Sequence, residues 1–230
     1  MIFKMSTKRF FSLCALLSAV IFCGQTLQAA DGASVFRAQP GGSKIRIDGD
    51  STTHEWYMAG TMAGGSMELP AGTQIDSTKE TIPGLADGKL PAKVSAIVPV
   101  RSMHSEVKVG ATIMDGLYQE ALKEKTNPRI TYTLNEMKLK SGHVAGKPFE
   151  FDTTGELQIA GVTNKVAMPV TIESLEGGKL KIAGVAPLKM TDFKIDPPAP
   201  NIGMGLMKCK DEVKVTFEWT LTPETAAPAK

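Results

Sequence analysis

Cysteine and histidine are scarce, with three of each in 230 residues. Cys14 and Cys23 fall in the first thirty residues. Only Cys209 lies in the body of the chain, so no internal disulfide is expected and stability must come from an ordinary core. His54, His104 and His143 are scattered. HExxH spacing and CxxC are both missing, which argues against a structural zinc site. GxSxG, a phosphate loop and GxGxxG ahead of a helix are missing too. His54-Glu55, and His104 near Glu106, come nearest to acid–base pairs, but neighbours in a strand face opposite ways unless one residue is skipped. Met190, Met204, Met207 and Cys209 are soft enough for copper, although methionines of this kind more often pack a core or line a pliable pocket. No catalytic residue, metal site or cofactor is expected.

Long apolar runs are also missing, apart from one near the start. Lys4, Lys8 and Arg9 precede an apolar run of 14 residues, Phe10 to Cys23, and a polar stretch then ends in "LQAAD". The run is short of the roughly 20 residues that span a bilayer. Residues 1–29 therefore read as a secretory signal peptide, cut after Ala29 or Ala30, and the protein is expected in the periplasm or secreted. A membrane anchor and a lipid-modified Cys23 are the alternatives; bulky Phe22 speaks against the second. Cleavage removes three of the 26 Lys and Arg and none of the 24 Asp and Glu, leaving the remainder near neutral. A basic field for nucleic acid or anionic membrane is then lacking.

What the chain does have is strands. Residues 30–42 read as a loose lead-in, 43–222 as one domain and 223–230 as a solvated tail. Ile45 and Ile47 alternate with Lys44, Arg46 and Asp48. "HEWYMAGTM" puts Trp56, Met58 and Met62 on one side. "KVSAIVPV" is a strand with Pro99 near its end. "RITYTLNEMKL" puts Ile130, Tyr132 and Leu134 on one side and then shifts phase to Met137 and Leu139, which predicts a bulge near Asn135 or Glu136. Leu180, Ile182, Ala186, Leu188 and Met190 share a side, as do Val213, Val215, Phe217 and Trp219. One segment differs: "MDGLYQEALKEKTNP" spaces Leu117, Ala121 and Leu122 as a helix, with Asp115 as its cap and Asn127-Pro128 as its end. "DPPAPNIGMG" is dense enough in Pro and Gly to be a shaped flap.

The strongest pattern is the hairpin "FEFDTTGELQIAGVTNKVAMPVTIE". Phe149, Phe151, Leu157 and Ile159 alternate with Glu150, Asp152, Glu156 and Gln158. After the "AGVTN" turn, Val166, Met168, Val170 and Ile172 repeat the apolar phase. Straight, residues 149–160 reach about 40 Å at roughly 3.3 Å per residue, twice the usual strand of about 5–6 residues. Periodicity leaves an antiparallel barrel or a sandwich open, and the strand length favours a tall barrel wall of about eight strands, which can hold one small ligand.

"GELQIAGVTNKVAMPVTI" resembles the "G-x-L-x-I-x-G-V-T-K-x-V-x-L-x-V" hairpin of the YceI-like family. "NPRITYTL", after a helix ending in Leu122-Lys123, resembles that family's "x-P-x-I-x-F" strand. The segment from "LKMTDF" to "VTFEWTL" resembles its closing motif, and "SKIRIDGDSTTHEWYMAGTM" its opening. Together they span residues 43–222. The resemblance implies an all-β fold, an extended lipocalin-like antiparallel barrel of about eight strands with one short helix. It also implies an exported protein that binds a long isoprenoid or quinone-like lipid. The lining would then comprise Trp56, Met58, Phe149, Phe151, Leu157, Ile159, Val166, Met168, Val170, Ile172, Phe217 and Trp219. Two departures bear on the head group. Where many members carry "R-D-x-x-L" on the helix, this chain keeps Asp115 without the arginine. Where many carry "R-S-D-F", it keeps only Asp192-Phe193. Two other readings stand beside lipid binding: an envelope interaction protein with a filled barrel, and an enzyme acting on a lipid. The oligomeric state stays open, a homodimer among the options.

Overall fold

The structure is a computed structural model and describes residues 32–107, 110–199 and 207–224; the expected signal peptide lies outside them. Ten strands appear among the described residues: β1 (Ser34–Ser51), β2 (Trp56–Gly60), β3 (Gly64–Leu69), β4 (Lys93–Pro99), β5 (His104–Ser105), β6 (Arg129–Leu139), β7 (Phe149–Ile159), β8 (Val162–Ser174), β9 (Leu180–Lys189) and β10 (Cys209–Pro223). An α-helix, α1 (Ala111–Ala121), intervenes between β5 and β6. The strand pairings are antiparallel throughout.

β1 closes the sheet into a barrel. One edge pairs along most of its length with β10. The other edge pairs with β3 through Ser34–Arg37 and with β2 through Ile45–Gly49. The closed ring of eight strands therefore runs β1, β10, β9, β8, β7, β6, β4, β3 and back to β1. β2 and β5 extend the wall at one end. β1 begins at Ser34, inside the stretch expected as a lead-in. It absorbs "QPGG" as a kink between Ala38 and Ser43, where the register to β10 shifts. Gly41 takes φ +68° there, a left-handed conformation that costs glycine little.

The hairpin forms as its alternation predicts, with Phe149 opposite Ile172 and Ile159 opposite Val162. The bulge in β6 is at Asn135: Leu134 pairs with Gly155 and Glu136 with Thr154, leaving Asn135 extra. Three expectations are corrected. Met62 lies beyond the end of β2 and is 58% exposed, because the strand stops at Gly60. α1 starts at Ala111 with Gly110 as its N-cap, so Asp115 sits inside the helix and not at its start. The helix also ends before Asn127-Pro128, at Ala121, and Lys123 then turns at φ +53°.

The interior holds two clusters. One, at the β3–β4 loop end, contains Phe149, Phe151, Ile172, Leu180 and Leu221. The long connection 70–92 plugs that end with Ile75, Ile82 and Leu90, each less than a tenth exposed. It is held by a reciprocal pair in which Ser77 N donates to Ser174 Oγ and Ser174 N to Ser77 Oγ, both at 2.9 Å. The other cluster, at the helix end, contains Ile45, Met58, Met103, Tyr118, Leu122 and Phe193.

Candidate functional site

Between the two clusters lies a cavity of about 260 Å³. Every strand of the closed ring except β3 contributes to its wall. The reason is the two-residue period: one side of each strand faces in, so apolar positions far apart in sequence converge on the axis. β10 supplies Val213, Val215, Phe217 and Trp219, all in one phase.

Three aromatic residues lie flat against the wall because a glycine faces each. A Cβ built on Gly49 would sit 2.2 Å from the Trp56 ring, one on Gly155 2.5 Å from Tyr132, and one on Gly184 2.7 Å from Phe217. Gly49 and Gly184 stand directly opposite their partners in the ladders. A missing side chain on one strand thus gives the aromatic on the next a place to lie.

α1 covers the helix end. Met114, Leu117, Tyr118, Ala121 and Leu122 share one face at helical spacing and line the cavity. The opposite side is tied to β5. His104 Nδ1 lies 2.9 Å from Asp115 Oδ2, and Ser105 N donates to Asp115 Oδ1 at 2.7 Å. His104 therefore meets Asp115 and not Glu106, its nearest acidic neighbour in sequence, because α1 packs against β5. Its ring is 62% exposed and does not line the cavity.

The lining is overwhelmingly apolar. Lys189 is the one Lys, Arg, Asp or Glu among the described lining residues, and His54 stands with Ser51, Pro198, Met207 and Cys209 at the helix end. His54 is locally engaged: its backbone N–H donates to Ser51 Oγ at 3.1 Å, and its Nδ1 lies 2.9 Å from Thr53 Oγ1. Burial pushes the Cys209 thiol up, with the Trp56 indole pulling the other way, so the sulfur stays protonated at neutral pH. Burial likewise pushes the Tyr118 phenol far above its ordinary value. Tyr118 Oη and Trp219 Nε1 are both buried, so both rings offer the cavity carbon rather than a polar atom.

Of the twelve residues expected to line the barrel, eight border the cavity: Trp56, Met58, Leu157, Ile159, Met168, Val170, Phe217 and Trp219. Four do not. Phe149, Phe151 and Ile172 point inward but are fully buried in the plugged end, against the loop carrying Ile75, Ile82 and Leu90. Val166 packs at the helix end but opens onto a cleft in the wall instead. Sequence reasoning missed the helix residues Met114 and Tyr118, although the i, i+4 spacing from Met114 to Tyr118 and Leu122 was there to be extended. It also missed Met103, in a short turn with no period to follow. "DPPAPNIGMG" was expected as a shaped flap. Pro198 lines the cavity, and residues 200–206 lie outside the described set.

No curated protein matches the chain in sequence. Among solved structures, BcnA of Burkholderia cenocepacia superposes with a TM-score of 0.56 at 17% identity, over 80% of this chain and 98% of its own. A polyisoprenoid binding domain from Saccharophagus degradans, implicated in plant cell wall breakdown, superposes with a TM-score of 0.58 at 12% identity, over 82% of this chain and 98% of its own. At such identities the likeness is one of fold. The sequence model of the YceI-like domain matches residues 36–221, from within β1 to within β10, and the chain belongs to the YceI-like family.

Proposed function

We propose that this is an exported binding protein that holds a long apolar lipid, isoprenoid or quinone-like, inside its barrel and does no chemistry on it. The observation that carries the reading is the cavity itself: enclosed by strands, bounded by a helix, and walled almost entirely by carbon. Each methylene buried there is worth about 0.8 kcal/mol, so a long chain binds without catalytic groups, less what is lost in ordering it. The similar fold described as a polyisoprenoid binding domain supports the ligand class by analogy. Methionines at positions 58, 103, 114, 168 and 190 give the wall soft, adaptable contacts suited to a flexible chain.

The filled-barrel alternative fits the plugged end, but a cavity remains between that end and the cluster under the helix. An enzyme would need a nucleophile and base within reach of each other in the cavity. His54 is bonded locally, His104 faces away, and Cys209 is held protonated. Export is part of the proposal, with cleavage after Ala29 or Ala30. N-terminal sequencing of the mature chain should read Ala30 or Asp31, and a retained Met1 or a modified Cys23 would overturn it.

Lipid extraction and mass spectrometry of protein purified from its own host test the ligand. Met168→Trp tests the place: Met168 lines the cavity from β8, so the added volume enters ligand space. The variant should fold and lose most of its bound lipid. If it unfolds instead and native protein carries no lipid, the barrel is a filled one and the proposal fails.

A further inference from the structure

β8 and β9 are a ladder for only part of their length. Pairing runs from Ser174 opposite Leu180 to Val170 opposite Gly184 and stops. Beyond it, β8 continues through Val162 with β7 as its partner, and β9 continues to Lys189 with β10 as its partner. Their facing edges have no strand between them. The next positions in register are occupied on β8 by Pro169 and, two steps on, on β9 by Pro187. Proline has no N–H to give a ladder, and sheets confine it to edges and bulges.

A cleft fills the gap, lined by Asn164–Ala167 of β8, Pro187–Lys189 of β9, and Asp192, Phe193, Glu212 and Val213. Both faces of the sheet contribute. Val166 and Leu188 belong to the inward phase, Lys165, Ala167 and Pro187 to the outward one. The cleft therefore reaches the unpaired strand edges and is not confined to the outer face. Leu188, Lys189, Phe193 and Val213 line this cleft and the central cavity alike. These four residues border both spaces, and Phe193, 2% exposed, is the most buried of them. The far end of the gap is closed where Asn164 Nδ2 donates to the Asp192 carbonyl at 2.6 Å. The result is a window bounded by a ladder on one side and a hydrogen bond on the other. Val185, 41% exposed, stands at its ladder end.

We propose that this window is a lateral mouth of the cavity, through which the outer part of a linear apolar ligand too long for the interior leaves the barrel. The inference rests on the lipid-binding reading above. It assigns Val166 to contact with long ligands only, since Val166 lines the window and not the cavity. The rim carries Lys165, Lys189, Asp192 and Glu212, two charges of each sign, so an emerging end that is neutral and polar, such as an alcohol, fits it better than one bearing net charge.

The test uses the full chain with Val166→Cys, its fold checked by thermal melting, and farnesol and solanesol as short and long isoprenoid alcohols. Thiol modification is read by mass spectrometry separately at the introduced window thiol and at Cys209, which lies at the helix end. Solanesol should slow modification of the window thiol several-fold, and farnesol, bound to the same protein, should leave it unchanged. Protection of Cys209 alone by bound solanesol would mean that long chains leave by the helix end, and would overturn the proposal. Equal protection of the window thiol by both alcohols would do the same. Failure of either alcohol to bind the unsubstituted chain would overturn the lipid reading and this proposal with it. If Val166→Cys does not fold, Ala167→Cys, on the outer face of the same cleft, gives the same readout.

Discussion

On one strand, β7, Phe149 and Phe151 have no exposed surface, whereas Leu157 and Ile159, in the same phase further along, stay partly open to a cavity. β10 repeats the contrast, with Leu221 fully buried and Val215 only partly so. The alternation is the same at both ends, and so is the inward direction. What differs is what arrives from elsewhere. The connection 70–92 brings Ile75, Ile82 and Leu90 into one end and fills it. At the other end α1 lies across the opening, while Gly49, Gly155 and Gly184 let Trp56, Tyr132 and Phe217 lie against the wall and leave the axis empty. The plugged end is solid core, and the cavity lies between it and the cluster under the helix.

The sharpest way to break this contrast is a matched pair of truncations. Phe151→Ala removes a ring from a packed core and should cost about 3–5 kcal/mol of unfolding free energy. Leu157→Ala, on the same strand, removes contacts on one side only and should cost well under half as much. Denaturant unfolding measures both, and equal losses would mean that the two halves are packed alike.

A smaller effect is expected where the helix is tied down. Asp115→Ala leaves the Ser105 N–H, in a residue only 7% exposed, without its acceptor. Such a loss costs about 1–3 kcal/mol. Hydrogen exchange should show faster opening confined to α1 and β5, with β7 and β8 near Phe149 unchanged. Uniform acceleration would show that the helix end is not a separate unit. Gly49→Ala should act in the same range, about 1–3 kcal/mol, because a methyl there meets the Trp56 ring. Trp56 fluorescence should shift with it, and an unshifted spectrum would refute the contact.

The smallest effect is that of pH. Hydrogen bonds from the Thr191 hydroxyl and backbone N–H, at 2.7 and 2.8 Å, hold the Asp211 carboxyl below its ordinary value. Asp50, beside Lys210, is lowered too, chiefly by its hydrogen bond to that lysine. Both stand at the helix end. A carboxylate whose pKa is depressed on folding contributes stability above its unfolded value, near pH 4, and loses it as pH falls below that. Melting temperature should therefore be flat in these groups from neutrality to about pH 4 and then decline. Asp211→Asn should make the decline shallower, and an unchanged slope would remove Asp211 from the account.

Much of the architecture is legible in the residues alone. The bulge at Asn135 is written in the phase shift between Leu134 and Met137, and the hairpin in a long run of alternation on either side of its turn. The lining is legible only as a direction. Phe149 and Leu157 read identically in sequence, yet one is core and the other cavity wall. Asp115 reads as a helix cap because capping is a local rule, whereas its actual partners, His104 and Ser105, come from a strand brought beneath the helix by the barrel.

The sequence by itself determined which side of each strand is apolar, where the phase slips and which segment coils, because each of these depends on neighbours a few residues apart. Tertiary structure alone decided that the barrel is filled at one end and keeps a cavity beyond it, since that depends on volumes delivered by distant segments to the same place. It also decided that Pro169 and Pro187, ordinary on their own strands, stand on two facing edges. There neither can donate to a ladder, and the wall parts.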